Sequence, residues 1–146
     1  MGYRNGTKFS GTFKGDAALL ADPGQVGLFL RRLVVEIGMT ALGHHIYDVP
    51  IAVKRLGQDP LTDEGGVTGI TVLSTSHAAI HTWPEVCGGR IDVDSCRTFD
   101  GKQIHALLRT MFNAREIYLY DLSFCFKPPG VVAVEVESLD VPVAHV

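Results

Sequence analysis

Residues 66–99 read Gly66-Val-Thr-Gly-Ile-Thr-Val-Leu-Ser-Thr-Ser76-His-Ala-Ala-Ile-His81-Thr-Trp-Pro-Glu85-Val-Cys-Gly-Gly-Arg-Ile-Asp-Val-Asp-Ser-Cys96-Arg-Thr-Phe99. Three runs of β-formers, 67–73, 77–82 and 91–96, are separated by turn formers at 74–76 and by Trp83-Pro84-Glu85. Proline cannot donate to a central ladder, so the chain leaves the sheet there or runs along its edge. The spacing predicts consecutive strands, and reactive side chains crowd into them: Ser76, His77, His81, Glu85 and Cys96.

The rest of the chain supplies helices to cover such a sheet. Asp22-Pro23 starts a helix, because Asp accepts from free backbone N–H groups and Pro is tolerated at the first helical position. Val26, Phe29, Leu30, Leu33, Val34 and Ile37 then repeat at helical spacing, and Gly38 stops the run. Asp100 caps a second helix with Ile104, Leu107, Leu108, Met111 and Phe112 on one face. Further strands are predicted at 7–14, 39–47 and 117–126, with an extra one at 131–136 after the break at 127–130. Residues 54–66 read as a loop. This order predicts an α+β, two-layer sandwich: a mainly antiparallel sheet with two helices packed on one face. A single domain is expected over 1–146, with a core at about 8–126 and a C-terminal extension at 127–146.

With 146 residues, 46% hydrophobic and 20% charged, the chain reads as an ordinary globular protein. A net charge of −3 gives no electrostatic reason for a nucleic-acid or anionic-membrane partner. No apolar run is long enough to span a bilayer, and the N-terminus lacks a signal-peptide core, so a cytoplasmic location is expected. Cys87, Cys96 and Cys125 form no CxxC pair, which argues against a disulfide framework or a zinc site. Cys87 and Cys125 are expected to be buried strand cysteines.

His77 and His81, four apart, share a face on either a helix or a strand, which leaves a metal pair open. No further ligand motif completes it, and His44 and His45 would point to opposite faces. No metal is therefore expected. Hydrogen-bonded structural histidines are the competing reading.

Ser76-His77-x-x-Ile80-His81-Thr82-Trp83-Pro84-Glu85, led by Gly66-Val67-Thr68-Gly69 and followed by Asp92-Val93-Asp94-Ser95-Cys96, resembles the signature of the small prokaryotic S-adenosylmethionine decarboxylases. These are self-cleaving, pyruvoyl-dependent proenzymes of polyamine (spermidine) biosynthesis. The resemblance implies a cut between Thr75 and Ser76, with Ser76 becoming a covalent pyruvoyl cofactor. Its carbonyl would form a Schiff base with the substrate amine and accept the electrons left by CO2 loss. Thr68 and His81 match residues that assist processing, with His81 as the base. Cys96 matches the acid that reprotonates the substrate carbon, a step that suits a thiol. Glu85 matches the carboxylate that holds the ribose hydroxyls, and His77 is set beside it as a substrate-binding candidate. The same resemblance implies a homodimer acting on a small-molecule substrate.

Three departures stand out. The family has Glu where this chain has Thr75, although the acyl shift needs only that residue's carbonyl. Residues 49–64 are longer than the usual connection and carry no aromatic, so the adenine-stacking partner is missing and Tyr47 is the nearest candidate. Residues 127–146 run past the usual end. These leave two alternatives open: a decarboxylase of another amino acid such as ornithine or arginine, and a non-processing homologue acting as a regulatory or binding subunit.

Overall fold

The computed structural model describes residues 4–59, 65–127, 130–134 and 137–138. Strand β1 (Arg4–Lys14) leads through α1 (Ala17–Leu20) to α2 (Pro23–Glu36), then β2 (Ala41–Asp48) and α3 (Val49–Arg55). Strands β3 (Val67–Leu73), β4 (Ser76–Trp83) and β5 (Gly88–Ser95) follow, with a single 3-10 turn at Pro84–Val86. Helix α4 (Gly101–Phe112) precedes β6 (Glu116–Asp121), β7 (Phe124–Lys127), β8 (Gly130–Val134) and β9 (Glu137–Ser138). The sheet order is β2-β3-β4-β5-β1-β6-β9, and β7 pairs with β1 and β8. Every pairing among the described residues is antiparallel.

Both long helices start as their sequences dictate. The Asp22 carboxylate accepts the Gly24 N–H at 2.8 Å, and the Asp100 carboxylate accepts the Lys102 N–H at 2.9 Å. Both lie on one sheet face. Val26, Phe29, Leu30 and Leu33 of α2 and Ile104, Leu108, Met111 and Phe112 of α4 share one core with Val67, Ala78, Ile80, Ile91, Val93, Ile117 and Leu119. Strand side chains alternate, so this inward set fixes which residues face outward. Thr82 locks α1 onto the sheet: its fully buried hydroxyl donates to the Leu20 carbonyl at 2.7 Å and accepts the Val67 N–H at 2.9 Å. Gly66 has φ +74, and a Cβ there would lie 2.0 Å from the Thr82 carbonyl oxygen, so only glycine lets β3 start against the end of β4.

The α+β sandwich expectation holds, with differences of detail. Val49–Arg55 is a helix where a connection was expected. It buries no residue, so it leaves no apolar period. Its signals are only Pro50 in the first turn and Lys54 and Arg55 in the last, where they suit the helix dipole. The last long strand is split: Asp121 accepts the Ser123 N–H and hydroxyl, an Asx-type turn that ends β6 before β7. Cys87 is exposed, not buried, because it takes the left-handed position (φ 52) after the 3-10 turn. Of the tail strand expected at 131–136, residues 135 and 136 lie outside the described residues, as do 60–64 of the expected loop.

Phe112 is fully buried, with its ring 5.8 Å from Phe13 and 5.2 Å from Phe29. Phe112→Ala is expected to cost about 3–5 kcal/mol in urea unfolding, and a loss under about 1 kcal/mol would contradict this packing.

Candidate active site

The two-residue turn Ser74–Thr75 joins β3 to β4, with Leu73 paired to Ser76. Ser76 also pairs with Ser95 on β5, which places Cys96 beside it. The Cys96 N–H donates to the Thr75 carbonyl at 3.0 Å. Ser76 itself sits at φ +149, a conformation that side-chain-bearing residues rarely adopt and that costs on the order of 1–3 kcal/mol. Ser76 and Cys96 are both exposed. Under them, the Ser95 hydroxyl donates to the Thr75 hydroxyl at 2.9 Å and accepts the Arg97 N–H at 3.0 Å. The Met39 sulfur lies 3.3 Å from the Ser95 oxygen and 3.4 Å from the Thr75 oxygen.

A second cluster lies further along the sheet. Thr68 and His81 face each other across β3 and β4, with Thr68 Oγ1 3.2 Å from His81 Nδ1. Tyr47 extends this row on one side and Arg90 on the other. The Trp83 ring lies 6.3 Å from that of His81. Glu85 belongs to the same end: a Cβ on Gly65 would lie 2.9 Å from its Oε2. Burial pulls the His81 pKa below the ordinary 6.5 and the Arg90 charge adds to this, with Asp92 partly opposing, which favours the neutral imidazole.

Between the clusters, His77 Nε2 meets Asp92 Oδ2 at 2.9 Å, and Lys8 Nζ lies 3.5 Å from the other Asp92 oxygen. Burial acts to raise the Asp92 pKa, but the bond from His77, the Lys8 charge and a bond from Ser10 together hold it below the ordinary carboxylate value. His77 and His81 do share the outward face, yet each is engaged with a different partner. Among the described residues no group of three or more His, Cys, Asp or Glu is placed to hold a metal ion. His44 turns inward to Thr71 at 2.7 Å and His45 is exposed.

The structure therefore brings Thr75, Ser76 and Cys96 together, and separately brings Thr68 to His81, with Glu85 beside Gly65 at that same end of the sheet. It does not bring His81 to Ser76 within one chain: five residues of strand separate them by roughly 16 Å. Arg90, Asp92, Ser95, Met39 and Trp83 surround these residues without having been assigned roles from the sequence. Strand pairing is the signal that finds three of them, since Ser95, Asp92 and Arg90 stand opposite Ser76, Ala79 and His81 once the register of β4 with β5 is known.

The S-adenosylmethionine decarboxylase family model matches residues 11–123. The chain belongs to the S-adenosylmethionine decarboxylase family. It is 49% identical to an S-adenosylmethionine decarboxylase proenzyme of Thermomicrobium roseum over 45% of this chain and 66% of the relative. It is 33% identical to the proenzyme of Moorella thermoacetica over 47% of this chain and 57% of the relative. The matches thus span less than two thirds of either relative's length. The crystal structure of the adenosylmethionine decarboxylase from Aquifex aeolicus is similar in fold, with a TM-score of 0.62 over 94% of this chain and 99% of that one, at 21% identity. No helix among the described residues is long and apolar enough to cross a membrane.

A His with a depressed folded-state pKa contributes stability that is present above its unfolded value and lost as pH falls. An NMR titration of the His81 ring is expected to give a midpoint below 6.5, moving upward but remaining below 6.5 in Arg90→Ala because burial is the larger cause. A midpoint above 6.5 in the wild-type chain would contradict the assigned environment.

Proposed function

We propose that this chain is a proenzyme that cuts itself between Thr75 and Ser76 to become a pyruvoyl-dependent decarboxylase, acting on S-adenosylmethionine for polyamine synthesis. The observation that carries this reading is the strained Ser76 (φ +149), next to a carbonyl already held by the Cys96 N–H at 3.0 Å. The residues fit a group made from Ser76: it opens a strand, is exposed, and has a thiol beside it. The Ser76 hydroxyl attacks the Thr75 carbonyl carbon, and the peptide bond breaks as the Ser76 nitrogen gains a proton, leaving an ester. Loss of the Ser76 Cα proton then expels the Thr75 carboxylate and leaves dehydroalanine, which water converts to pyruvoyl with release of ammonia. The pyruvoyl carbonyl supplies the electron sink for CO2 loss.

In the mature enzyme Cys96 holds the proton destined for the substrate carbon. Glu85 accepts the ribose hydroxyls, and Trp83 beside His81 and Tyr47 beside Thr68 supply aromatic surface for the adenine. His77, held by Asp92 at 2.9 Å, directs its ring along the open sheet face toward the substrate.

A homodimer reconciles the roughly 16 Å between Ser76 and His81 with a shared task. The sheet face away from the helices carries Ile70, Val72, Tyr118 and Tyr120, which are 36–45% exposed among the described residues. Stacked sheets lie about 10 Å apart. A two-fold axis between two such faces, across the strands at the level of Ala79 and Asp92, sets the His81 row of one copy over the His77 row of the other. His81 and Thr68 then assist the hairpin end of the second copy.

Thr75 stands where the family has Glu, and its hydroxyl is engaged with Ser95 and Met39, so this position brings no carboxylate to a substrate. This keeps ornithine and arginine as competitors. Labelled CO2 release is expected to be greater from S-adenosylmethionine than from either amino acid, and the reverse order would reassign the substrate. Cys96→Ser is expected to lower turnover about 100-fold with the cut intact, as for loss of a proton donor. Co-expressed Ser76→Ala and His81→Ala chains are expected to yield fragments of the His81→Ala chain, whereas no fragments would place His81 outside a shared site.

A further inference from the structure

The hydroxyl network under Thr75 has a geometry beyond what packing requires. Thr75 is anchored three ways: its carbonyl on the Cys96 N–H at 3.0 Å, its hydroxyl on Ser95 at 2.9 Å, and that hydroxyl again against the Met39 sulfur at 3.4 Å. The preceding Ser74 N–H donates to the Thr40 carbonyl at 3.0 Å. Ser95 is fully buried, and its oxygen is itself oriented by the Arg97 N–H at 3.0 Å. With Ser74 and Thr75 both pinned, the unusual φ of Ser76 cannot relax by rotation of the turn.

We propose that Ser95 is a positioning residue for self-cleavage, fixing Thr75 so that its carbonyl stays on the Cys96 N–H while the Ser76 oxygen attacks. This rests on the self-cleaving reading above. When the Ser76 Oγ–Thr75 carbon bond forms, negative charge develops on the Thr75 oxygen, at the distance where a preorganised donor acts best. The Ser76 hydroxyl proton passes to a base, the carbon–nitrogen bond breaks, and the Ser76 nitrogen is protonated. No oxidant or co-reactant is needed. The later elimination frees the Thr75 carboxylate, whose oxygen keeps the same N–H partner, so a negative charge remains at the hairpin end after the cut. Ser95 touches none of the reacting atoms and acts only through Thr75.

The test follows conversion of freshly made full-length chain to its two fragments. Ser95→Ala is expected to slow the cut about 100-fold, the scale of a misplacement near 1 Å. Ser95→Thr, which restores the hydroxyl, is expected to stay within a few-fold of wild type. Thr75→Val removes the same hydrogen bond from the other side and is expected to match Ser95→Ala, which covers the case in which Ser95→Ala does not fold. Hydroxylamine, which cleaves esters, is expected to release no fragments from Ser95→Ala, because the block precedes the ester. Wild-type rates in both Ser95→Ala and Thr75→Val, or an ester that accumulates and is cleaved by hydroxylamine, would overturn the assignment of Ser95 while leaving self-cleavage standing. A wild-type chain that never cuts would overturn the underlying reading and this one with it.

Discussion

The register of the β3–β4–β5 meander is the constraint on which the rest depends. A two-residue turn at Ser74–Thr75 pairs Leu73 with Ser76, and Ser76 in turn with Ser95. A slip of one residue would send Ala78, Ile80 and Thr82 out of the core and turn His77, His81 and Trp83 into it. The cost would be prohibitive, because Ala78, Ile80, Ile91 and Val93 are all fully buried beneath α2 and α4. Core packing thus decides which reactive side chains reach the open face. The same register ends β5 at Ser95, so that the next residue, Cys96, stands at the turn with its N–H on the Thr75 carbonyl.

This register concentrates strain at one point. Ser76 must turn at φ +149 to enter the strand, and the turn before it is held by Thr40, Ser95, Met39 and the Cys96 N–H. The burial that supports this comes from ordinary apolar packing at about 25 cal/mol per Å2. A strained peptide persists only where its surroundings over-determine it. The proposed chemistry therefore draws on the stability of the whole sandwich.

Much of this was legible in the sequence for physical reasons. Helices α2 and α4 bury one face each, so Val26 to Leu33 and Ile104 to Phe112 carry a helical period. Helix α3 buries nothing and carried no such signal. Cys87 reads as a small apolar residue but occupies a left-handed turn position that no local pattern announces. Within the candidate site, a dense motif named the residues but not their neighbours. Ser76 and His81 are close in sequence and far apart on an extended strand, while Ser76 and Cys96 are far apart in sequence and adjacent across β4 and β5. A hydroxyl and a thioether have no motif, so Ser95 and Met39 are not legible in the sequence: the pairing of β4 with β5 brings Ser95 to Thr75, and the Ser74 N–H on the Thr40 carbonyl brings Met39.

Strain, donor and thiol converge on one peptide bond, and its fate tests the account most directly. The intact mass of the purified wild-type chain under denaturing conditions, after treatment with a hydrazine reagent, reports that fate. Two fragments parted between Thr75 and Ser76 are expected, with the hydrazine attached to the second. A single uncut chain that persists on long incubation, or a cut at any other bond, would contradict it.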